Sequence, residues 1–180
     1  KDVHVSNNTL IMNRTWKNKD VLKVEFPAEV TISRWYGNSA VVERGPLVYA
    51  LKLNENWTKK EFETEKDQRE YGKSYYEVVT DSKWNYTLKE DHIQTKNIKD
   101  NFVVTKNSNL ATYPWTWADA PIVIKAKGRI MPRWKEVNGS TGPIAYYVQQ
   151  FDAPEPTEYD IELIPYGCTT LRITEFPVRR

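Results

Sequence analysis

Apolar and polar residues alternate with a period of two along several short segments of the chain. In residues 21–26, Leu22, Val24 and Phe26 fall on one face of an extended chain and the two charged residues fall on the other. This pattern predicts a half-buried strand, which Pro27 would end. Similar patterns predict further strands over residues 30–35, 40–43, 47–51, 122–130, 159–164 and 170–174.

Glycine and proline mark where the predicted strands turn. Gly45 and Pro46 separate two short strands, since glycine tolerates unusual backbone dihedrals and proline fixes one. Gly128 interrupts a strand pattern, which indicates a bulge or a close backbone approach. Residues 165–168 separate the last two predicted strands, so we expect those strands to form an antiparallel hairpin.

The overall pattern predicts an all-β fold, an antiparallel β-sandwich of jelly-roll-like form. Strands do not alternate with long helices, which disfavours a parallel α/β sheet. Residues 58–73 are mostly charged, so we expect a solvated loop or a marginal surface helix there. Residues 152–157 contain two prolines and indicate an extended connector.

We expect residues 1–180 to form one β-sandwich region, with a discontinuous division as the open alternative. In that division residues 1–53 and 157–180 form the first sandwich, and residues 54–156 form an inserted second one. The reason is that the last strands need partners, so the strands before Asn54 and those after Pro156 should share a sheet.

The composition of the chain limits the classes of function that are expected of it. Aromatic residues make up 13% of the 180 residues, which is enough to build a core. The 26 basic and 24 acidic residues are interspersed, so no electrostatic footprint for nucleic acid is expected. No apolar run is long enough to span a bilayer, and the first residues lack a signal core, which indicates mature protein or a cut fragment. The single cysteine excludes an internal disulfide and a cysteine-rich metal cluster, and we expect no cofactor.

Several segments carry a resemblance to a known family. Residues 14–24 read RTWKNKDVLKV and residues 41–51 read VVERGPLVYAL. Residues 82–88 (SKWNYTL), 120–125 (APIVIK) and 163–174 (LIPYGCTTLRIT) complete the set. Together they resemble the region that follows the catalytic barrel in glycoside hydrolase family 127, the β-L-arabinofuranosidase-like proteins, with a C-terminal extension similar to that of gut Bacteroides members.

The resemblance implies a role without catalysis. Members of that family carry catalysis in an (α/α) barrel followed by β-sandwich domains, and a Glu and three Cys bind zinc there. This chain has one cysteine, so that site transfers to no position here. The expected function is an accessory domain that packs on an upstream barrel of a periplasmic or secreted glycosidase, in plant or host glycan degradation.

The residues themselves give no catalytic constellation. Cys168 has neither His4 nor His92 near it in sequence, so we expect a small buried hydrophobe rather than a nucleophile. The acidic run over residues 61–67 is typical of a solvated face, and no catalytic carboxyl pair is assigned.

Aromatic residues at Tyr113, Trp115 and Trp117 are the candidate carbohydrate-binding site. Trp115 and Trp117 are two residues apart, so an extended segment would present both on one face as a sugar platform. The alternative is that they pack at the end of the sandwich or at a domain interface. The alternative function is therefore a carbohydrate-binding module, with carbohydrate as its partner.

A second candidate surface contains Arg129, Arg133 and Trp134. These residues would dock on the catalytic barrel, or an arginine would stack on the indole within the sheet. Four other aromatic residues lie in strand-like patterns and are expected in the core: Trp16, Trp35, Trp84 and Tyr86.

Overall fold

The computed structural model describes residues 2–144 and 152–179. Strands dominate these residues, which confirms the prediction of an all-β, largely antiparallel fold; the jelly-roll form stays a prediction. The strands are β1 (Asp2–Ser6), β2 (Thr9–Asn13), β3 (Val30–Arg34), β4 (Ala40–Arg44), β5 (Leu47–Leu51), β6 (Asn56–Glu61), β7 (Ser74–Val79), β8 (Tyr86–Lys89), β9 (Val103–Lys106), β10 (Ile122–Ile130), β11 (Glu136–Val137), β12 (Ser140–Thr141), β13 (Glu158–Pro165), β14 (Glu175–Phe176) and β15 (Val178–Arg179). The helices are α1 (Glu65–Tyr71) and α2 (Ile98–Asn101), and 3-10 turns cover Tyr36–Asn38 and Tyr166–Cys168.

One large sheet organises the described residues. Its strand order is β14-β4-β5-β13-β10-β8-β15, with β3 beside β4 and β9 beside β10. Neighbouring strands run antiparallel except β15, which runs parallel to β8. The turn between β4 and β5 is tight, because Gly45 takes φ +58° and Arg44 pairs with Leu47.

The C-terminal segment connects the two ends of this sheet. Phe176 in β14 pairs with Ala40 in β4, while Val178 in β15 pairs with Leu88 in β8. Only Pro177 separates β14 from β15, and its carbonyl oxygen accepts a hydrogen bond from the Leu88 amide at 2.9 Å. The sheet therefore curls until its two ends meet across this segment.

The core lies inside the curl. Tyr49, Ile124, Leu163 and Phe176 are fully buried within one apolar cluster. Each such side chain contributes roughly 1.5–3 kcal/mol by leaving water. Gly128 fits this packing as predicted, because a Cβ there would lie 3.2 Å from the Tyr86 Cβ.

The strands before Asn54 and after Pro156 do share a sheet, as predicted. Leu51 in β5 pairs with Leu163 in β13, and β14 pairs with β4. The central strands β8, β9 and β10 lie in the same sheet. The division into residues 1–53 plus 157–180 and 54–156 stays a prediction.

Two strands predicted from the sequence, over residues 21–26 and 170–174, are absent, so both predictions were wrong. Residues 21–26 alternate in polarity but pair with no strand among the described residues, and Phe26 is 87% exposed. Residues 170–174 do not form a hairpin with β13, because the end of β13 nearest to them is already paired: Leu163 pairs with Ile124 of β10 and with Leu51 of β5. The chain instead continues to β14, which pairs with β4.

In the part of the chain that the structure describes, three hairpins lie outside the large sheet: β1–β2, β6–β7 and β11–β12. Asn7 and Asn8 connect β1 to β2 with φ of 48° and 59°, the two positive values that a type I′ turn requires. The charged segment 58–73 contains the end of β6 and the surface helix α1, whose Thr64 caps the amide of Asp67 at 3.1 Å. No helix among residues 2–144 and 152–179 is long and apolar enough to cross a membrane.

Candidate functional site

An open cleft of about 510 Å³ lies where β3, the β4–β5 turn and the segment after β13 approach one another. Three aromatic side chains line it: Trp35, Trp115 and Tyr166. Leu47 and Glu175 line it as well. We call this site the aromatic cleft, because its three aromatic residues keep 57%, 39% and 44% of their surface exposed.

Trp35 reaches the cleft because of strand parity. Val30 and Ile32 of β3 pack against the core, so Trp35, at odd spacing from them, falls on the opposite face with Ser33. Its indole Nε1 donates a hydrogen bond to the Ser33 hydroxyl oxygen at 3.0 Å. The prediction that Trp35 packs in the core was therefore wrong.

Tyr166 is held by an arginine on its ring. The Arg172 guanidinium carbon lies 4.5 Å from the ring centroid, and Arg172 Nε donates to the Thr169 carbonyl oxygen at 3.0 Å. A cation above an aromatic face is attracted by the ring's negative charge density. This contact fixes the ring and leaves one of its two faces for other contacts.

Glu175 gives the aromatic cleft a negative charge. It lies in β14, beside β4, and its Oε2 accepts a hydrogen bond from the Ser39 hydroxyl at 2.7 Å. An ionised carboxylate offers about four lone-pair sites, so one hydrogen bond leaves acceptor capacity for a ligand.

The candidate sugar platform is divided between two places. Trp115 lines the aromatic cleft, whereas Trp117 lines another cavity, beside Glu55 and Trp57. The Trp117 indole donates to the Leu53 carbonyl oxygen at 2.7 Å, and the Lys52 ammonium lies 4.6 Å from its ring centroid. Sugar binding by Trp117, and by the exposed Tyr113, stays a prediction.

The second candidate surface contains one buried residue. Trp134 is 2% exposed, packs edge-on against Trp84 at 5.1 Å, and donates to the Gly142 carbonyl oxygen at 2.7 Å. Arg133 forms an ion pair with the buried Asp152 at 3.1 Å. Domain contacts by Arg133, and by Arg129 in β10, stay a prediction, but Trp134 offers little surface for them.

The prediction of core packing holds for Tyr86, which belongs to the main apolar cluster, and for Trp84, which packs against it. It does not hold for Trp16.

The turn that precedes residues 21–26 is held together by its own polar groups. The Asp20 carboxylate accepts hydrogen bonds from the Arg14 guanidinium at 2.6 Å and the Lys17 amide at 2.9 Å. The Arg14 guanidinium in turn lies over the Trp16 ring at 4.6 Å, yet Trp16 remains 51% exposed. These contacts order the turn without burying its tryptophan.

The N-terminal segment, residues 3–26, exposes many large apolar side chains. Val21 is 86% exposed, and half or more of the surface is also exposed in a set that spans both strands and the connection after them: Val3, Val5, Leu10, Trp16, Leu22, Val24 and Phe26. The β1–β2 hairpin pairs with no third strand among the described residues. An isolated two-stranded hairpin is marginally stable in water, and exposed apolar surface marks interaction sites.

The surroundings of Cys168 and Glu55 shift the pKa values of both groups. Cys168 is 4% exposed as predicted, and burial raises the pKa of its thiol. Burial alone would raise the pKa of Glu55, but hydrogen bonds from the Thr169 hydroxyl, the backbone amides of residues 170 and 171 and the Trp57 indole hold it below its ordinary value. Within the described ranges, no three His, Cys, Asp or Glu side chains lie together in a way that would hold a metal ion.

Comparison with known proteins finds no relative. No protein-family model matches the chain, and neither the curated proteins nor the solved structures give a match. The resemblance to glycoside hydrolase family 127 therefore stays a prediction that rests on the segments quoted above.

Proposed function

We propose that this chain is a non-catalytic accessory domain of a glycoside hydrolase, and that its N-terminal segment docks on the catalytic (α/α) barrel. The observation that carries the proposal is the exposure of Val21, Val24 and Phe26, at 86%, 51% and 87%. Side chains of this size are usually buried, and Leu22, Val24 and Phe26 alternate with charged residues as in a strand that has a covered face.

The position of the segment supports the barrel as its partner. In the family that the chain resembles, the sandwich follows the barrel, so a polypeptide leaving the barrel would reach residues 3–26 first. The turn held by Arg14 and Asp20 is part of the motif that carries the resemblance, and it keeps Trp16 exposed. A turn that is ordered in advance loses less conformational entropy when it docks.

The rest of the chain supports a stabilising role. The apolar cluster is large and well buried, so the curled sheet has a packed core that can support a docking segment. Cys168 is buried with a raised pKa, which opposes a nucleophilic role. The proposed site of action is the periplasm or the exterior of the cell, together with the parent glycosidase.

Docking is tested with the longer polypeptide that the proposal requires, in which a barrel is encoded upstream of residue 1. Val24→Asp combined with Phe26→Asp should leave the 180-residue chain stable to within about 0.5 kcal/mol, because both side chains are exposed. In the longer protein the same pair should lower the free energy of unfolding by about 2 kcal/mol or more, since burial of each side chain is lost.

Val103→Asp is the matched control, because Val103 is 55% exposed but lies in β9. It should have the same effect in both proteins. Equal effects of the N-terminal pair in both proteins, or an upstream sequence without a helical barrel, would refute the proposal. The 180-residue chain should also give no turnover of 4-nitrophenyl arabinofuranosides, and clear turnover would contradict the non-catalytic assignment.

A further inference from the structure

We propose that the aromatic cleft binds one or two rings of a neutral oligosaccharide, with Trp35 and Trp115 against the sugar C–H faces and Glu175 accepting from sugar hydroxyl groups. This inference goes beyond the accessory role and does not depend on it. The cleft and the N-terminal segment share no residues, so each can fail alone.

The size and lining of the cleft fit a small ligand. Its volume of about 510 Å³ lies in the range of about 300–1,000 Å³ that is usual for small-molecule sites. Such sites combine apolar and aromatic walls with a few polar groups that fix orientation. Here the aromatic walls are Trp35, Trp115 and Tyr166, and the charged group is Glu175.

Two of the three aromatic side chains, Trp35 and Tyr166, are positioned before any ligand arrives. The Ser33 hydroxyl holds the Trp35 indole, and the Arg172 guanidinium covers one face of Tyr166. The Trp35 Nε1 atom and one face of the Tyr166 ring are therefore engaged. Trp35 remains 57% exposed and Tyr166 remains 44% exposed. Rigid, amphipathic rings of this kind suit a ligand with an apolar face and a polar edge. A sugar ring has both.

Charge distinguishes the ligand classes. Glu175 is held in place by Ser39, and its carboxylate accepts hydrogen bonds without donating any. Sugar hydroxyl groups are donors that match it, whereas a uronic acid would bring a second negative charge close to it. A purely apolar peptide segment would leave the remaining acceptor sites of this carboxylate unpaired, which is costly when they are desolvated. Neutral sugar is the occupant that satisfies both parts of the cleft.

The test is native affinity electrophoresis of the 180-residue chain in gels that contain arabinan, arabinoxylan, xyloglucan, galactomannan or polygalacturonate. We expect retardation by at least one neutral polysaccharide and none by polygalacturonate. Trp35→Ala and Trp115→Ala should each weaken the retarding interaction about tenfold or more, equivalent to about 1.4 kcal/mol. Glu175→Gln should weaken it several-fold.

Trp16→Ala is the matched control, because Trp16 is 51% exposed but lies outside the cleft, and it should bind like the parent chain. Circular dichroism of each variant separates loss of binding from loss of fold. Three results would overturn the proposal: no retardation by any neutral polysaccharide, stronger retardation by polygalacturonate, or binding that Trp117→Ala abolishes while Trp35→Ala does not. The last result would assign sugar to the cavity at Trp117.

Discussion

Replacement of Glu55 by glutamine tests how the segment that carries Glu175 is held. Glu55 Oε1 accepts hydrogen bonds from the Thr169 hydroxyl at 2.6 Å, the Thr170 amide at 2.5 Å and the Leu171 amide at 3.3 Å. Its Oε2 accepts from the Trp57 indole at 3.2 Å. This carboxylate therefore fastens the start of β6 to the chain between β13 and β14.

The magnitude follows from the number and exposure of these bonds. A hydrogen bond to a charged group contributes about 1.5–3 kcal/mol when buried. Glu55 is partly exposed, so solvent screening reduces the sum, and a glutamine keeps one accepting oxygen. We expect Glu55→Gln to lower the free energy of unfolding by about 2 kcal/mol at pH 7.

The loss should depend on pH. The hydrogen bonds lower the pKa of Glu55 in the folded protein, so its stabilisation is present above the pKa of the unfolded chain and is lost as the pH falls through the folded pKa. Urea unfolding of both proteins should therefore show a clear difference at pH 7 that shrinks below about pH 4. Glu63→Gln, at an exposed position on the surface, is the control and should change little at either pH. A difference that is equal at both pH values, or absent at pH 7, would refute the reasoning.

Three further predictions concern the core. Phe176→Ala should lower the free energy of unfolding in urea by about 3–5 kcal/mol, because a fully buried ring is removed where the two ends of the sheet meet. If that variant does not fold, Phe176→Leu should fold with a smaller loss of stability. A urea midpoint equal to that of the parent chain would contradict the closure of the sheet at Phe176. Gly128→Ala should lower the free energy of unfolding by about 1 kcal/mol, because the new Cβ would press on Tyr86 at 3.2 Å. The lower entropy of the unfolded variant offsets part of this steric cost, and a stabilised variant would contradict the close approach. Cys168 should react with a thiol reagent about tenfold or more slowly in the native protein than in urea, because it is buried with a raised pKa, and equal rates would contradict its burial.

Much of the sheet could be predicted from the sequence, because a strand with one covered face shows its alternation directly. In β10, Ile124 and Ala126 are buried and Lys125 and Lys127 are exposed, which is the pattern read from the residues. The pairing of the N-terminal and C-terminal strands was also predictable, since late strands need partners. The burial of Cys168 was predicted because no histidine lies near it in the sequence, which favours a small buried hydrophobe over a nucleophile.

Other features depend on which edges are free, and a sequence does not show this. Residues 170–174 have a strand pattern, but β13 has no free edge for them. Residues 21–26 alternate equally well, but no described strand lies beside them. The aromatic cleft was only partly predictable. Trp115 was predicted as a sugar-binding residue, whereas Tyr166 and Glu175 lie far from it in sequence, so no local pattern joins them to it. Strand parity was the signal that could have placed Trp35 on the outer face.

Amide hydrogen exchange over residues 14–29 tests the docking claim most directly. The exchange is measured in the 180-residue chain and in the longer polypeptide that the proposal requires, with a barrel joined upstream of residue 1. We expect rapid exchange over residues 21–26 in the chain alone, where no described strand pairs with them. We expect exchange about tenfold or more slower when the barrel is attached. Equal exchange in the two proteins would contradict docking of this segment.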